Sequence, residues 1–369
     1  MRKHTLKALL RRKKSHLGNK WSILFLVAVS LARVAMGIFN SITGPTLPVL
    51  AQHVCKSPTT VSWIFSGRSV GFLIGSALSS VFDRFGISQM LMLSLSVLLC
   101  AVGLALMPIL TDLWLLIIIV TITGIIAGYI DAAIQCIMLK VWGSKKSASI
   151  LQLHHFTFSI GAFLAPILVS PFYSGDDDIC SDSVDDNNEP VCLGIGDNNS
   201  ILTPFLISSA FIAAVFFLMI WLYFVDITEK IKEDNQESAD EREEDSIRDL
   251  WQYFIPVILF YFCIVSGENV YQSNIFSYAA CKVGWESGKA SILNSIFWAG
   301  FGIGRGSGIF FSRFLRPSTY IIIDLVFCAA TATFLSIFPT NEIMLWIGSF
   351  TYGLGIATLY SCGSVTVTS

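Results

Sequence analysis

Ten apolar runs, each long enough to cross a bilayer, recur along this chain, near residues 21–50, 59–82, 88–110, 113–140, 148–173, 202–226, 250–280, 287–312, 317–339 and 342–369. A spanning helix needs ~20 mostly apolar residues. Inside lipid, only helices and closed barrels satisfy every backbone N–H and C=O. Composition agrees: 54% of residues are hydrophobic and 14% charged, where a soluble domain carries roughly a quarter charged residues. The expected fold class is therefore all-α, a polytopic membrane protein. A net charge of −2 offers nothing to nucleic acid. No zinc spacing, nucleotide-binding fingerprint or nucleophile elbow is present, so neither an enzyme nor a resident cofactor is expected.

Lys and Arg set the expected orientation. The basic segment 1–20 (Arg2, Lys3, Lys7, Arg11, Arg12, Lys13, Lys14, Lys20) precedes an apolar stretch too long for a signal peptide and reads as a cytosolic anchor. With that end inside, the inner turns hold Arg84, Lys140, Lys145, Lys146, Lys230, Lys232, Arg313 and Arg316, and the outer ones only Lys56, Lys282 and Lys289. This is the positive-inside asymmetry. Residues 21–226 then form a first group of six helices, 227–249 an acidic cytosolic linker, and 250–369 a second group. The loop 174–200 falls outside, and Cys180 and Cys192 within it are expected to form a disulfide. Cys100, Cys136, Cys263, Cys328 and Cys362 lie in apolar runs and read as small core residues.

An internal repeat joins the two groups. The second run contains Gly67-Arg68-Ser69-Val70-Gly71, and the eighth contains Gly304-Arg305-Gly306-Ser307-Gly308. The first and last glycine of each motif belong to a stripe of small residues four apart: Gly67, Gly71, Gly75, Ser79 and Gly300, Gly304, Gly308, Ser312. Such stripes let membrane helices approach closely. Arg68 and Arg305 are expected to tie their helices to neighbours, and an anionic substrate is the alternative use for them.

Ionisable groups inside the runs are costly in hydrocarbon and should face protein or water. Gly124, Gly128, Asp131 and Gln135 share one helical face, so Asp131 is a candidate ion-coupling or gating residue, or a structural partner of Arg84. The most polar stretch in any run is Gly267-Glu268-Asn269-Val270-Tyr271-Gln272-Ser273-Asn274. Carboxylate, amides and an aromatic ring suit sugar hydroxyls and the flat face of a sugar ring. Glu268, Asn269, Gln272 and Asn274 are therefore candidate solute ligands, with Gln135, Gln152, His155, Asn40, Asn294 and Trp298 as further candidates. Gly44-Pro45, just after Asn40, should kink the first helix and free carbonyls.

A six-helix group and a second group that repeats its motif, joined by a cytosolic linker, resemble the major facilitator superfamily, whose architecture is two parallel six-helix repeats. Asp83-Arg84-Phe85-Gly86 resembles the core of that superfamily's signature between helices two and three, and implies a gating role for Asp83 and Arg84. The chain also looks like the superfamily's sodium-dependent glucose transporter group, close to the domain-containing protein 4 type. The carrying segments are Gly44-Pro45-Thr46-Leu47, Ser62 to Arg68, Gly128-Tyr129-Ile130-Asp131 through Gln135, Leu153-His154-His155-Phe156 with Gly161 and Pro166, and Gly267-Glu268 with Phe276-Ser277-Tyr278-Ala279. That resemblance implies a hexose solute, sodium as coupling ion and a plasma-membrane setting. Another small solute such as an organic anion, or a non-transporting receptor or scaffold, are the competing readings. The superfamily pattern has six helices per half; the second half here shows four and ends in the tenth run at Ser369, so it is expected to be incomplete.

Overall fold

The computed structural model describes residues 2–82, 88–173, 201–225, 251–311 and 317–368. Among these the backbone forms helices and turns and no strand. The first predicted run is broken: α1 (Arg2–Ser41) stops at Ile42, and α2 (Thr43–His53) follows. Pro45 and Pro48 cause the break, because neither has an N–H to return to Ser41 or Gly44. Thr46 Oγ1 donates to the Ile42 carbonyl at 2.8 Å and fills part of the gap. Next come the short α3 (Pro58–Val61), capped by the Ser57 side chain with Pro at its first position, then α4 (Trp63–Phe82) and α5 (Gln89–Leu106).

Helix α6 runs from Leu113 to Val169, and Asp112 caps it by accepting from Leu115 N at 2.8 Å. Arg33 touches both Asp131 and His155, which a straight helix would hold ~36 Å apart. The helical run therefore doubles back as two spans, Leu113–Met138 and Leu153–Phe172. The remaining helices are α7 (Leu202–Phe224), α8 (Trp251–Ser277) with a π-helical extension Tyr278–Lys282, α9 (Ser287–Phe311), α10 (Pro317–Ile337) and α11 (Glu342–Thr368). Seven segments among the described residues are long and apolar enough to cross a membrane; α10 and α11 hold shorter apolar stretches. The ten-run expectation differs at α9, whose apolar run is diluted by serines, glycines and Arg305.

The repeated stripes form matching contacts. On α4, a Cβ at Gly71 would sit 2.2 Å from the Thr121 carbonyl oxygen, and one at Gly128 of α6 would sit 2.1 Å from that of Phe72. On α9, a Cβ at Gly300 would meet the Phe350 carbonyl oxygen at 2.1 Å, and one at Gly353 of α11 would meet that of Phe297 at 2.2 Å. Backbones this close admit only glycine. Helix two thus packs on helix four as helix eight packs on helix ten.

The groups meet along two seams. The second span of α6 lies antiparallel to α9: Gly306 sits near Phe156, Ser291 Oγ donates to the Pro166 carbonyl at 2.6 Å, and Ser170 Oγ donates to that of Gly288 at 3.3 Å. Toward one end α2 packs on α8, where a Cβ at Gly44 would be 3.0 Å from the Gln272 carbonyl oxygen. Tyr173 adds a hydrogen bond to the Pro45 carbonyl.

The expected outer loop with Cys180 and Cys192, the acidic linker, Asp83 and Arg84 lie outside the described residues. Cys55 and Cys281, at the outward-predicted ends of α2 and α8, are disulfide-bonded. Of the cysteines read as core, Cys100 is buried, Cys136 and Cys328 are half-buried, and Cys263 is exposed. Cys263 corrects that expectation: a thiol in a lipid-facing position costs little, so an apolar run does not imply a packed core.

Candidate functional site

A cavity of about 270 Å³ lies between the two groups of helices. α1 and α4 line it with Arg33, Asn40 and Arg68, and α6 with Asp131 and His155. From the other side α8 contributes Glu268 and Asn269, and α9 contributes Arg305. The break after α1 and the glycine contact between α4 and α6 bring these groups to one place.

Arg33 is the hub of one wall. It forms an ion pair with one Asp131 oxygen, and its Nη2 lies 3.4 Å from His155 Nδ1. Gln135 Nε2 donates to the other Asp131 oxygen at 2.9 Å. Both carboxylate oxygens are therefore held by N–H donors, as a charge in low dielectric requires. Arg68 Nη1 donates to the Asn40 carbonyl at 3.0 Å, close to the helix break. Each of the three cavity arginines also covers an aromatic ring: Arg33 lies 4.8 Å from the Phe158 centroid, Arg68 5.2 Å from Phe65 and Arg305 4.9 Å from Phe301. A ring face offers a cation partial compensation away from water. Glu268 lines the opposite wall and has no ion pair among the described residues.

The Major Facilitator Superfamily profile matches residues 29–369. The chain belongs to the major facilitator superfamily. It is a multi-pass membrane protein accordingly. It is 32% identical to a mouse protein named sodium-dependent glucose transporter 1A over 345 residues, covering 90% of this chain and 79% of the relative. It is 30% identical to the human sodium-dependent glucose transporter 1, covering 89% of this chain and 64% of that protein. A frog protein of that name is 32% identical, with 88% and 65% covered. The chain thus spans about two thirds of the length of the last two. The fold matches the xylose transporter XylE from E. coli in a partially occluded inward-open conformation, with a TM-score of 0.67, 14% identity, and 94% and 84% of the two chains covered.

Within this superfamily member, Glu268, Asn269, Asn40, His155 and Asp131 meet at the cavity as candidates. Gln135 stands beside it through Asp131. Asn269 Nδ2 donates to the Val265 carbonyl of its own helix at 2.8 Å. The other candidates lie elsewhere. Gln272 and Asn294 are buried in the seam with α2, where Asn294 Nδ2 donates to the Gln272 carbonyl at 3.0 Å. Trp298 is fully buried against Phe158 and Phe301, so it packs rather than lines the cavity. Asn274 is exposed and donates to the Val270 carbonyl, one turn back on its own helix. It lies six residues past Glu268, well round the helix, which carries it off the cavity face. The side chain of Gln152 is outside the described residues.

Asp131 pairs with Arg33 of α1, which lies level with it across the bundle; Arg84, the partner considered for it, lies outside the described residues. Arg68 and Arg305, expected to tie helices together with an anionic substrate as the alternative, line the cavity, and the Arg68 bond to Asn40 is such a tie. Arg33 is an ionisable group inside the first run to which the sequence alone gives no specific role. Its signal was its place seven residues before Asn40 on one helical face.

Proposed function

We propose that this chain carries a hexose or similar polyol across the membrane, coupled to sodium, by exposing the central cavity alternately to the two sides. The observation that carries this reading is a cavity lined from both groups of helices by hydrogen-bonding and charged side chains. Its volume lies near the lower edge of the roughly 300–1,000 Å³ usual for small-molecule sites, which suits a single sugar ring. The relatives' names favour glucose and sodium.

In this reading Glu268 accepts from solute hydroxyls, and Asn40 and Asn269 offer amides. Among the described residues no three carboxylate, His or Cys groups form a metal cluster. In this reading sodium competes for Asp131, whose oxygens are held by Arg33 and Gln135. Displacing Arg33 from Asp131 would loosen α1 from α6, which links ion binding to rocking of the halves. The Lys and Arg asymmetry supports a cytosolic N-terminus, and the resemblance a plasma-membrane location.

The test is uptake of radiolabelled glucose by the purified chain in proteoliposomes, under an inward sodium or potassium gradient. Saturable, sodium-stimulated entry is expected. Absence of any saturable sugar entry refutes the reading, and equal entry in both gradients removes the sodium part alone.

A further inference from the structure

Resting on the sugar-carrier reading, we propose that the preferred solute is a sugar acid, a hydroxylated six-carbon frame bearing one carboxylate that Arg68 holds. Arg68 is 7% exposed, lines the cavity, and has no carboxylate partner among the described residues. Arg33, across the same space, does have one in Asp131. A guanidinium carries five N–H donors. One hydrogen bond of Arg68, from Nη1, goes to the Asn40 carbonyl, and the ring of Phe65 lies near the guanidinium. The remaining donors suit a bidentate acceptor. A carboxylate accepts two parallel N–H bonds from a guanidinium and neutralises its charge, whereas a sugar hydroxyl does neither as well.

The other wall supplies the complement. Glu268 has no ion pair, so the carboxylate and the guanidinium share one cavity without reaching each other. A solute that bridges them needs an acceptor at one end and donors at the other. A sugar acid has both: its carboxylate for Arg68, and its hydroxyls for Glu268 and Asn269. A neutral hexose leaves the buried charge of Arg68 with only the Asn40 carbonyl and the Phe65 ring, and no anion, to offset it in a membrane interior. The cavity of about 270 Å³ favours one ring over a disaccharide.

The experiment uses the full chain in proteoliposomes, with labelled glucuronate and labelled glucose measured separately and in competition. Glucuronate is expected to half-saturate uptake at a concentration on the order of 10- to 100-fold below glucose, the span of one charge-assisted hydrogen bond. Arg68→Gln should erase most of that preference, and Arg68→Lys should keep part of it. Competition in the unaltered chain decides the matter even where Arg68→Gln does not fold. Saturable glucose entry that glucuronate does not inhibit overturns this inference and leaves the sugar-carrier reading standing. Entry of neither sugar overturns both. Inhibition of labelled glucose entry by alanine but not by glucuronate would assign the Arg68–Glu268 pair to a zwitterion and overturn this inference alone.

Discussion

The two groups of helices share one packing device and differ in how much of themselves they cover. In the first, α4 and α6 interlock backbone to backbone through Gly71 and Gly128; in the second, α9 and α11 do so through Gly300 and Gly353. Yet 56% of the most apolar stretch of Lys20–Ser41 is buried, against 11% of that in Ile255–Lys282. Helix α10 exposes Ile322, Val326, Phe334 and Ile337. The difference teaches that apolar area does not drive helix pairing in lipid, since lipid tails cover it equally well. Close approach at small residues decides who pairs, and polar groups decide which faces turn inward.

The largest expected effect tests the shared device in both groups. Gly128→Leu and Gly353→Leu each drive a side chain into a carbonyl oxygen that a bare Cβ would already meet at 2.1 and 2.2 Å. Overpacking costs about 1–3 kcal/mol and more where backbone must move. Both variants should lose monodisperse protein in size-exclusion chromatography, Gly128→Leu more severely because its group is the better covered. Normal yield from either would break the equivalence of the two contacts.

Next is the ion pair of the first group, whose side chains are 10% and 15% exposed. Removing Arg33 or Asp131 alone leaves a buried charge unpaired, at about 3–5 kcal/mol. Arg33→Met with Asp131→Leu should recover most of that loss in a thermal melt of detergent-solubilised protein. Additive losses in the double variant would show that the two residues act separately.

In the second group Glu268 has no such partner, so its replacement should spare the fold. Glu268→Gln is expected to raise the half-saturation concentration for solute about tenfold or more at equal surface expression, as loss of a charge-assisted bond predicts. Asp131→Asn should instead reduce turnover or sodium dependence. Identical kinetics for both variants would remove the proposed division of labour between the halves.

The smallest effect is expected at Lys289 and Glu342, which join α9 to α11 at 2.6 Å with side chains 36% and 54% exposed. Glu342→Gln should leave the melting temperature within replicate scatter, because exposed ion pairs contribute little. A clear drop would mean that this surface link compensates for the thin cover of the second group.

The sequence by itself determined most of the spans, the kink near Pro45 and the two glycine stripes, but not which helices those stripes pair. It also marked Glu268, Asn269, Asp131, His155 and Asn40 as groups too polar for lipid. These are local properties: a run of apolar residues, a missing N–H, a spacing of four. Only the tertiary structure decided that Asp131 meets Arg33, and that Gln272, Asn294 and Trp298 fill a seam while Arg68 and Arg305 line the cavity. Those outcomes depend on how far each helix is rotated and at what height it meets its neighbour. Rotation and height are set by backbone contacts such as Gly44 against Gln272 and Gly71 against Thr121. No single helix carries that information, because a polar face is satisfied equally well by a cavity or by a neighbouring helix.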